Sequence, residues 1–204
     1  MSFLLHSSQR KTFPVRMAAG GFSLIELLVA LTIGIILVGI AAPQFSAIMQ
    51  KQQASSEINN LLNDMQYARS EAIKQGQLVT LCASSNGTSC SAATTWQAGW
   101  IIFSNISNLS PAAFTNGTDV LLRKQAKFTT TDTLTSSPVL SAVTYNRDGF
   151  GMNFSSTTGE LFTLHSLTAS TNSTKCLWLD SLGRQTVQKA GAAALTGQGT
   201  NKCV

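Results

Sequence analysis

The most prominent pattern in the chain is a long block of apolar residues. Between Leu27 and Met49 no residue is charged, and leucine, isoleucine, valine and alanine fall on every side of a helix. A helix rises about 1.5 Å per residue, so the roughly 20 residues that cross a bilayer fit within this block. The pattern therefore predicts a membrane-spanning helix over about residues 22–49.

After Gln50 the pattern changes to apolar residues at three- and four-residue spacing, with charged residues between them. This spacing is typical of an amphipathic helix with one buried stripe. Gly76 is the predicted stop, which gives one helix over residues 22–75. The residues of the stripe are Ile58, Leu61, Leu62, Met65, Ala68 and Ala72.

Beyond Gly76 the helical spacing disappears, and short β-prone runs alternate with turn signals such as Asn86-Gly87 and Asp148-Gly149. This alternation predicts an antiparallel β-rich domain over residues 76–204, and hence an α+β fold. Residues 104–118 and 190–201 are rich in small and polar residues and are expected to be loops. The predicted strands are 78–82, 100–103, 120–123, 139–145, 160–164, 176–179 and 185–187.

One predicted strand has apolar residues on both faces. Trp100 and Ile102 alternate with Ile101 and Phe103, which is the pattern of a core strand covered on each side. We therefore expect a structural role for this segment.

The composition fits one globular domain plus an additional segment, because the chain has 204 residues and only 11% of them are charged. The net charge of +5 is mild and does not by itself indicate nucleic-acid binding. Four cysteines suit an exported domain with two disulfides, and four cysteines allow three pairings. We favour Cys82 with Cys90 and Cys176 with Cys203, because each pair closes a loop within its own segment.

No cofactor, metal site or enzymatic activity is predicted. Neither cysteine pair has the two-to-four-residue spacing of a zinc knuckle, and no nearby histidine completes one. His165 stands alone in a predicted strand and is expected to face solvent, while His6 lies in the leader described next. The chain also lacks a glycine-rich phosphate-binding loop.

Residues 1–21 carry Arg10, Lys11 and Arg16, and end in Gly20-Gly21. They predict a hydrophilic targeting leader that is cleaved. Because the basic residues precede the apolar block, the amino terminus is expected in the cytoplasm. The chain would then cross the inner membrane once, with residues 76–204 in the periplasm.

The segment Gly20-Gly21-Phe22-Ser23-Leu24-Ile25-Glu26 closely resembles a prepilin signal. The alternative is an ordinary secretory signal whose apolar core would be cut off near Ala41-Ala42. A charge within the bilayer costs roughly 2.5 to 3.5 kcal/mol, and an ordinary signal gains nothing from Glu26. The glutamate therefore favours the prepilin interpretation.

The resemblance implies that a prepilin peptidase cuts between Gly21 and Phe22 and methylates the new amino terminus. It also implies that Glu26 of one subunit faces the amino terminus of a neighbour in a filament, where each buried charge has a partner. The alternative role for Glu26 is that it only extends to the lipid headgroups.

The globular half resembles the FimT/FimU/GspH group of minor pilins and minor pseudopilins. The resemblance rests on Cys82, Cys90, Trp96, the segment from Gly99 to Phe103, Cys176 and Gly183-Arg184. It implies a pilin-like fold, with the long helix packed on a β-sandwich-like domain of two small sheets. It also implies that the partners are other pilins, bound through that helix.

Three functions are consistent with this resemblance. A minor pilin would help to initiate or cap a type IV pilus-like filament after extraction from the membrane. A minor pseudopilin would do the same for the pseudopilus of a type II secretion system. The third function is DNA binding by a minor pilin in DNA uptake.

The DNA hypothesis depends on a partial match. Some members of the group bind DNA through a Gly-Arg-x-Arg motif, and here Gly183-Arg184-Gln185-Thr186 lacks the second arginine. The alternative is a solvated turn and tail. The candidate phosphate-binding residues are Lys175, Arg184, Lys189 and Lys202.

Overall fold

The computed structural model describes residues 21–92, 94–106, 113–137, 139–152, 159–166, 174–192 and 203. Residues 1–20 of the predicted leader and the candidate Lys202 lie outside this set. The chain divides into two compact units, Met1–Pro43 and Gln44–Val204.

A single long helix precedes a series of short strands, as the sequence predicts. The helix ends one residue before Gly76, whose φ of 64° lies in the left-handed region that glycine tolerates. The elements are α1 Leu24–Gln75, β1 Leu78–Ala83, a 3-10 turn Trp96–Ala98, β2 Trp100–Asn105, β3 Val120–Gln125, β4 Thr133–Ser137, β5 Ala142–Tyr145, β6 Gly151–Met152, β7 Glu160–His165, β8 Lys175–Leu179 and β9 Gln185–Lys189.

The strands form two antiparallel sheets. The first sheet has the order β3-β2-β1-β5-β6, and the second has the order β4-β7-β8-β9. Both pack with the carboxyl-terminal part of α1 around one hydrophobic core. The α+β, pilin-like fold class is therefore confirmed.

The core contains the predicted stripe of α1. Ile58, Leu61 and Met65 are almost completely buried, while Leu62 is only partly buried at the edge of the stripe. Three alanines complete the inward-facing row, which lets the backbone of the helix approach the sheets closely. These are Ala54, Ala68 and Ala72.

Strand β2 is buried on both faces, as predicted. Trp100 and Ile102 face the main core. Ile101 and Phe103 lie in a second cluster on the outer face of the first sheet, with Phe114 packed against it. The ring centroids of Phe103 and Phe114 are 5.2 Å apart in an edge-on arrangement.

Several predicted boundaries are wrong. Strand β2 continues to Asn105, into the segment expected to be a loop. Strand β5 begins at Ala142 and not at residue 139. The reason is that the backbone of Leu140 forms hydrogen bonds with the Ser136 side chain: its N–H donates to Ser136 Oγ, and its carbonyl accepts from the same hydroxyl. Strands β4 and β6 were not predicted.

A buried carboxylate connects α1 to the first sheet. Asp64 is 5% exposed, and its Oδ2 accepts a 2.8 Å hydrogen bond from Trp100 Nε1. Its Oδ1 lies 2.7 Å from Arg123 NH1 on the edge strand β3. The Arg123 guanidinium also lies over the ring of Tyr67, 4.0 Å from its centroid. One acidic residue therefore fixes the helix against two strands.

We predict that Asp64→Ala destabilises the compact unit of residues 44–204 by about 2 to 4 kcal/mol, because Trp100 Nε1 is left buried without an acceptor and Arg123 loses its counter-ion. Asp64→Asn should cost less, since an amide oxygen can still accept from the indole. Urea denaturation measures both. Asp148→Ala, at an exposed turn, is the matched control. Equal midpoints for Asp64→Ala and this control would contradict the role of Asp64.

Candidate processing and assembly site

The predicted cleavage point lies immediately before α1. Ser23 is the residue before the helix, and its Oγ accepts a 3.3 Å hydrogen bond from the backbone N–H of Glu26. Its carbonyl accepts a 3.2 Å bond from the N–H of Leu27. Ser23 and Glu26 have the Ser-x-x-Glu spacing of a helix capping box. The predicted cut between Gly21 and Phe22 thus falls in non-helical backbone just outside the cap.

Nothing in the described fold requires glycine at position 21. A Cβ added there would meet no atom within 4 Å, and its φ lies outside the left-handed region. Phe22 is 82% exposed and makes no core contact. Within the described residues, neither position thus has a packing role.

Glu26 lies exposed in the first turn of α1. The amino-terminal end of a helix carries a partial positive charge, which stabilises a carboxylate in this turn. None of the three ion pairs of the described residues involves Glu26. Its carboxylate is therefore available to a cation on another molecule.

The first part of α1 exposes an almost continuous apolar surface. The exposed fraction of Ile35 is 71% and that of Val38 is 68%, and the other large apolar residues described between Phe22 and Met49 are also about half exposed or more. Contiguous surfaces of this kind mark contacts with lipid or with other proteins. Within the described residues, no helix combines the length and hydropathy expected of a membrane span.

Both favoured disulfides are present in the structure. Cys82–Cys90 closes the loop after β1, beside Ile101 and Phe103 on the outer face of the first sheet. Cys176–Cys203 connects β8 to the carboxyl-terminal region on the outer face of the second sheet. Each disulfide lies against a small apolar cluster and helps to cover it.

The Gly183-Arg184 pair belongs to a closely packed turn between β8 and β9. The carbonyl of Gly183 accepts a 3.1 Å hydrogen bond from Arg69 NH1 on α1. Gly183 has a φ of 77°, and a Cβ there would collide with the carbonyl of Gly149. Asp180 binds both the backbone N–H of Arg184, at 2.8 Å, and its Nε, at 2.6 Å. The arginine is thus already paired with an acid.

Of the three described candidate DNA-binding residues, the structure brings together Lys175 and Lys189 but places Arg184 apart from them. Lys175 and Lys189 are opposite each other at the end of the β8–β9 hairpin farther from Arg184. The two ends are four residue steps apart along each strand, or about 13 Å at about 3.3 Å per residue. DNA binding by this set stays a prediction.

His165 is exposed, as predicted. Its Nδ1 lies 3.5 Å from Thr174 Oγ1. Within the described part of the chain, no group of three or more His, Cys, Asp or Glu residues is arranged to hold a metal ion.

Sequence reasoning missed a buried acidic pair beside the core. Glu57 and Asp132 are 7% and 5% exposed. Thr130 Oγ1 donates a 2.7 Å hydrogen bond to Glu57 Oε1, while Glu57 Oε2 is buried without a partner. Burial, and then the charge of Asp132, raise the pKa of Glu57 to about 7, against the opposing effect of the Thr130 bond. The only feature of the sequence that pointed to burial of Glu57 was its position directly before Ile58, at the edge of the helical stripe.

The raised pKa predicts that the stability of the domain depends on pH. Because the folded pKa lies above the ordinary value of 4.5, the contribution of Glu57 is complete below pH 4.5 and is lost as the pH rises through about 7. Glu57→Gln should remove this fall and should stabilise the domain at pH 8 by on the order of 1 to 3 kcal/mol. Urea unfolding of residues 44–204 between pH 4.5 and pH 8 measures the free energy of unfolding of both proteins.

Glu71→Gln is the matched control. Hydrogen bonds from Gln75 and Lys74 lower the pKa of Glu71, so its contribution is lost as the pH falls. This variant should keep the stability loss between pH 4.5 and 7. If Glu57→Gln keeps that loss as well, another group causes it.

Two known family models match the chain. The one described as Type II transport protein GspH matches residues 57–183. The chain belongs to the GspH family. The model of the prokaryotic N-terminal methylation motif matches residues 16–42, which include the predicted cleavage point. The predicted membership of the FimT/FimU/GspH group of minor pilins and pseudopilins is thus confirmed, and such pilin-like proteins are in general not enzymes.

The methylation motif indicates a membrane-anchored pilus-type subunit that assembles with other pilins or pseudopilins and undergoes prepilin processing. A search of curated proteins found no significant match.

Two solved structures are similar to this GspH-family chain. Both are crystal structures of the type IV minor pilin FimU from Pseudomonas aeruginosa. They show 22% and 21% sequence identity, with TM-scores of 0.48 and 0.49. The matches cover 67% and 71% of this chain, and 91% and 92% of the FimU chains.

Proposed function

We propose that this protein is a minor pilin that helps to initiate or cap a type IV pilus-like filament. The observation that best supports this proposal is the exposed apolar surface of α1, with Glu26 in its first turn. In this proposal the helix first lies in the inner membrane, with residue 1 in the cytoplasm and the β-rich domain in the periplasm. It then moves into a bundle of helices from other subunits.

A helix bundle would cover the apolar side chains of this segment and would also supply a partner for the charge of Glu26. Apolar side chains from neighbouring helices would cover the exposed leucine, isoleucine and valine residues, which favours assembly by roughly 25 cal/mol for each Å² of apolar surface buried. Glu26 needs a cationic partner there, because an unpaired charge in an apolar bundle is strongly unfavourable. The amino group released at Phe22 of another subunit would supply that cation.

One prediction of this proposal concerns processing. Gly21→Val should leave the leader attached, because a peptidase that recognises the residue before the cut must accommodate a branched side chain there. The described fold itself places nothing near that Cβ, so folding should not change. Mass spectrometry of the membrane fraction should find N-methylated Phe22 as the first residue of the natural protein and an intact leader in the variant. A natural amino terminus near Ala42 would overturn the proposal.

Another prediction of this proposal concerns assembly. In a strain that lacks the natural gene, Glu26→Ala should be cleaved normally but should enter filaments poorly. Ser23→Ala is the matched control, because it removes the helix cap, at a cost of about 1 kcal/mol, and keeps the carboxylate. Quantitative immunoblots of sheared filaments measure incorporation. Equal incorporation of Glu26→Ala and natural protein would refute the pairing role.

The same strains separate a pilus from a secretion pseudopilus. Pilus number should fall in the deletion and Glu26→Ala strains while type II secretion continues. The reverse result would assign the protein to a secretion system.

A further inference from the structure

The inward-facing stripe of α1 has a lysine at one end. Counting back from Ile58 to Ala54 and then to position 51 continues the alternating four- and three-residue spacing of the buried positions. Positions with this spacing lie on one face of a helix. Lys51 therefore lies on the face that packs against the sheets, but beyond the core and exposed.

The second sheet has lysines at the corresponding end of its own inward face. Leu177 and Leu179 of β8 point into the core, so alternation along the strand places Lys175 on the same face. Lys189 of β9 is directly opposite Lys175 in the antiparallel ladder. Side chains in such pairs have Cβ atoms about 4.5 to 5.5 Å apart, and like charges there repel each other.

The helix and the second sheet meet at this end of the domain. Gln50, next to Lys51, and Ser166, next to the end of β7, line one cleft of about 310 Å³. Partial burial and the positive charges of Lys189 and Lys51 lower the pKa of Lys175. None of the ion pairs found among the described residues includes any of these lysines. Asp132 also lines this cleft, but it is only 5% exposed. The three ammonium groups thus lie at one end of the domain outside the ion pairs of the described residues, and an anion between them would relieve their repulsion.

The sequence indicates which anion this site would meet. Lys51 is the first charged residue after Glu26, so it directly follows the block that we propose to lie in the membrane. Lysine side chains at the end of such a block reach the depth of the lipid headgroups. Basic residues near a surface of anionic lipids each gain about 1 kcal/mol of binding free energy there.

We propose that Lys51, Lys175 and Lys189 form a binding site for the phosphate groups of anionic phospholipids at the outer surface of the inner membrane. The site would hold the domain against the headgroups until the subunit is extracted. This inference rests on the membrane-inserted state in the proposed function. Free phosphate and the phosphates of DNA share the same chemistry, so the experiment must separate them from lipid.

Lysine footprinting of the full chain tests the site. The protein is placed in lipid nanodiscs of phosphatidylcholine alone or with phosphatidylglycerol, treated with an amine-acetylating reagent, and analysed by mass spectrometry. We expect several-fold slower acetylation of Lys51, Lys175 and Lys189 in the phosphatidylglycerol discs, and recovery of the rate in high salt. Lys74 and Lys124, on other parts of the domain, are internal controls whose rates should not change. Equal protection of all five lysines would overturn the site.

Charge variants provide the second arm. In detergent micelles, Lys51→Gln/Lys175→Gln/Lys189→Gln should weaken binding of short-chain phosphatidylglycerol by roughly 100-fold. The matched variant Lys74→Gln/Lys124→Gln/Arg147→Gln has the same change of net charge and should bind normally. An equal loss in both variants would show a non-specific charge effect and overturn the proposal.

The remaining arms separate the sources of the anion. If inorganic phosphate or a short DNA duplex protects the three lysines as well as phosphatidylglycerol does, the lipid assignment is wrong. Protection that appears only in assembled filaments would instead point to acidic side chains of another subunit. Co-elution of the protein with the discs tests membrane insertion separately. An inserted chain with unprotected lysines would refute this inference alone, whereas a chain that fails to insert would refute the proposed function and this inference together.

Discussion

The globular unit depends on one surface of α1, the row of buried positions from Ala54 to Ala72. Both sheets pack against this row, so the helix forms part of the core of the domain and is not only its anchor. Asp64 helps to fix the rotation of the helix, because its carboxylate binds Trp100 and Arg123 at the same time. A buried acid is costly to desolvate, and here one partner is an indole N–H and the other a guanidinium. Apolar packing thus provides most of the stability, and one polar contact selects the geometry.

The outer faces of the sheets present a different problem. Among the described residues, α1 is the one α-helix available to cover the two sheets, and it packs against their inner faces. Each outer face instead has a small apolar cluster next to a disulfide: Ile101 and Phe103 in the first sheet, Leu161 and Trp178 in the second. The cross-links therefore hold Cys90 and Cys203, which lie outside the strands, against surfaces that would otherwise be more exposed. This arrangement suits an oxidising compartment.

The sequence was sufficient for features with strong local patterns. The helical stripe and the doubly buried β2 follow from periodicity, and the cysteine pairs follow from the choice that each closes a loop within its own segment. Strand β4 was missed because its residues, from Thr133 to Ser137, include a single large apolar side chain and give no alternation. The boundary of β5 depends on the Ser136 hydroxyl, which satisfies the backbone of Leu140 across a turn.

Interactions between segments that are distant in the chain also could not be predicted from the sequence. Lys51 and Lys175 are far apart in the chain, and only the packing of α1 on the second sheet relates them. The buried pair of Glu57 and Asp132 is of the same kind. In contrast, the pairing of Arg184 with Asp180 spans one short turn, and the four-residue spacing of opposite charges was a signal that could have been used.

The Cys176–Cys203 bond also affects what proteolysis would do to the protein. It connects a central position of the second sheet to a residue next to the end of the chain. A protease that cut the backbone anywhere between Lys189 and Cys203 would open the covalent loop without releasing the terminal piece. The nicked protein would gain only the mass of one water molecule and would keep its covered outer cluster until a reductant separated the two fragments. Damage to a filament subunit in this region would therefore leave the subunit in one piece.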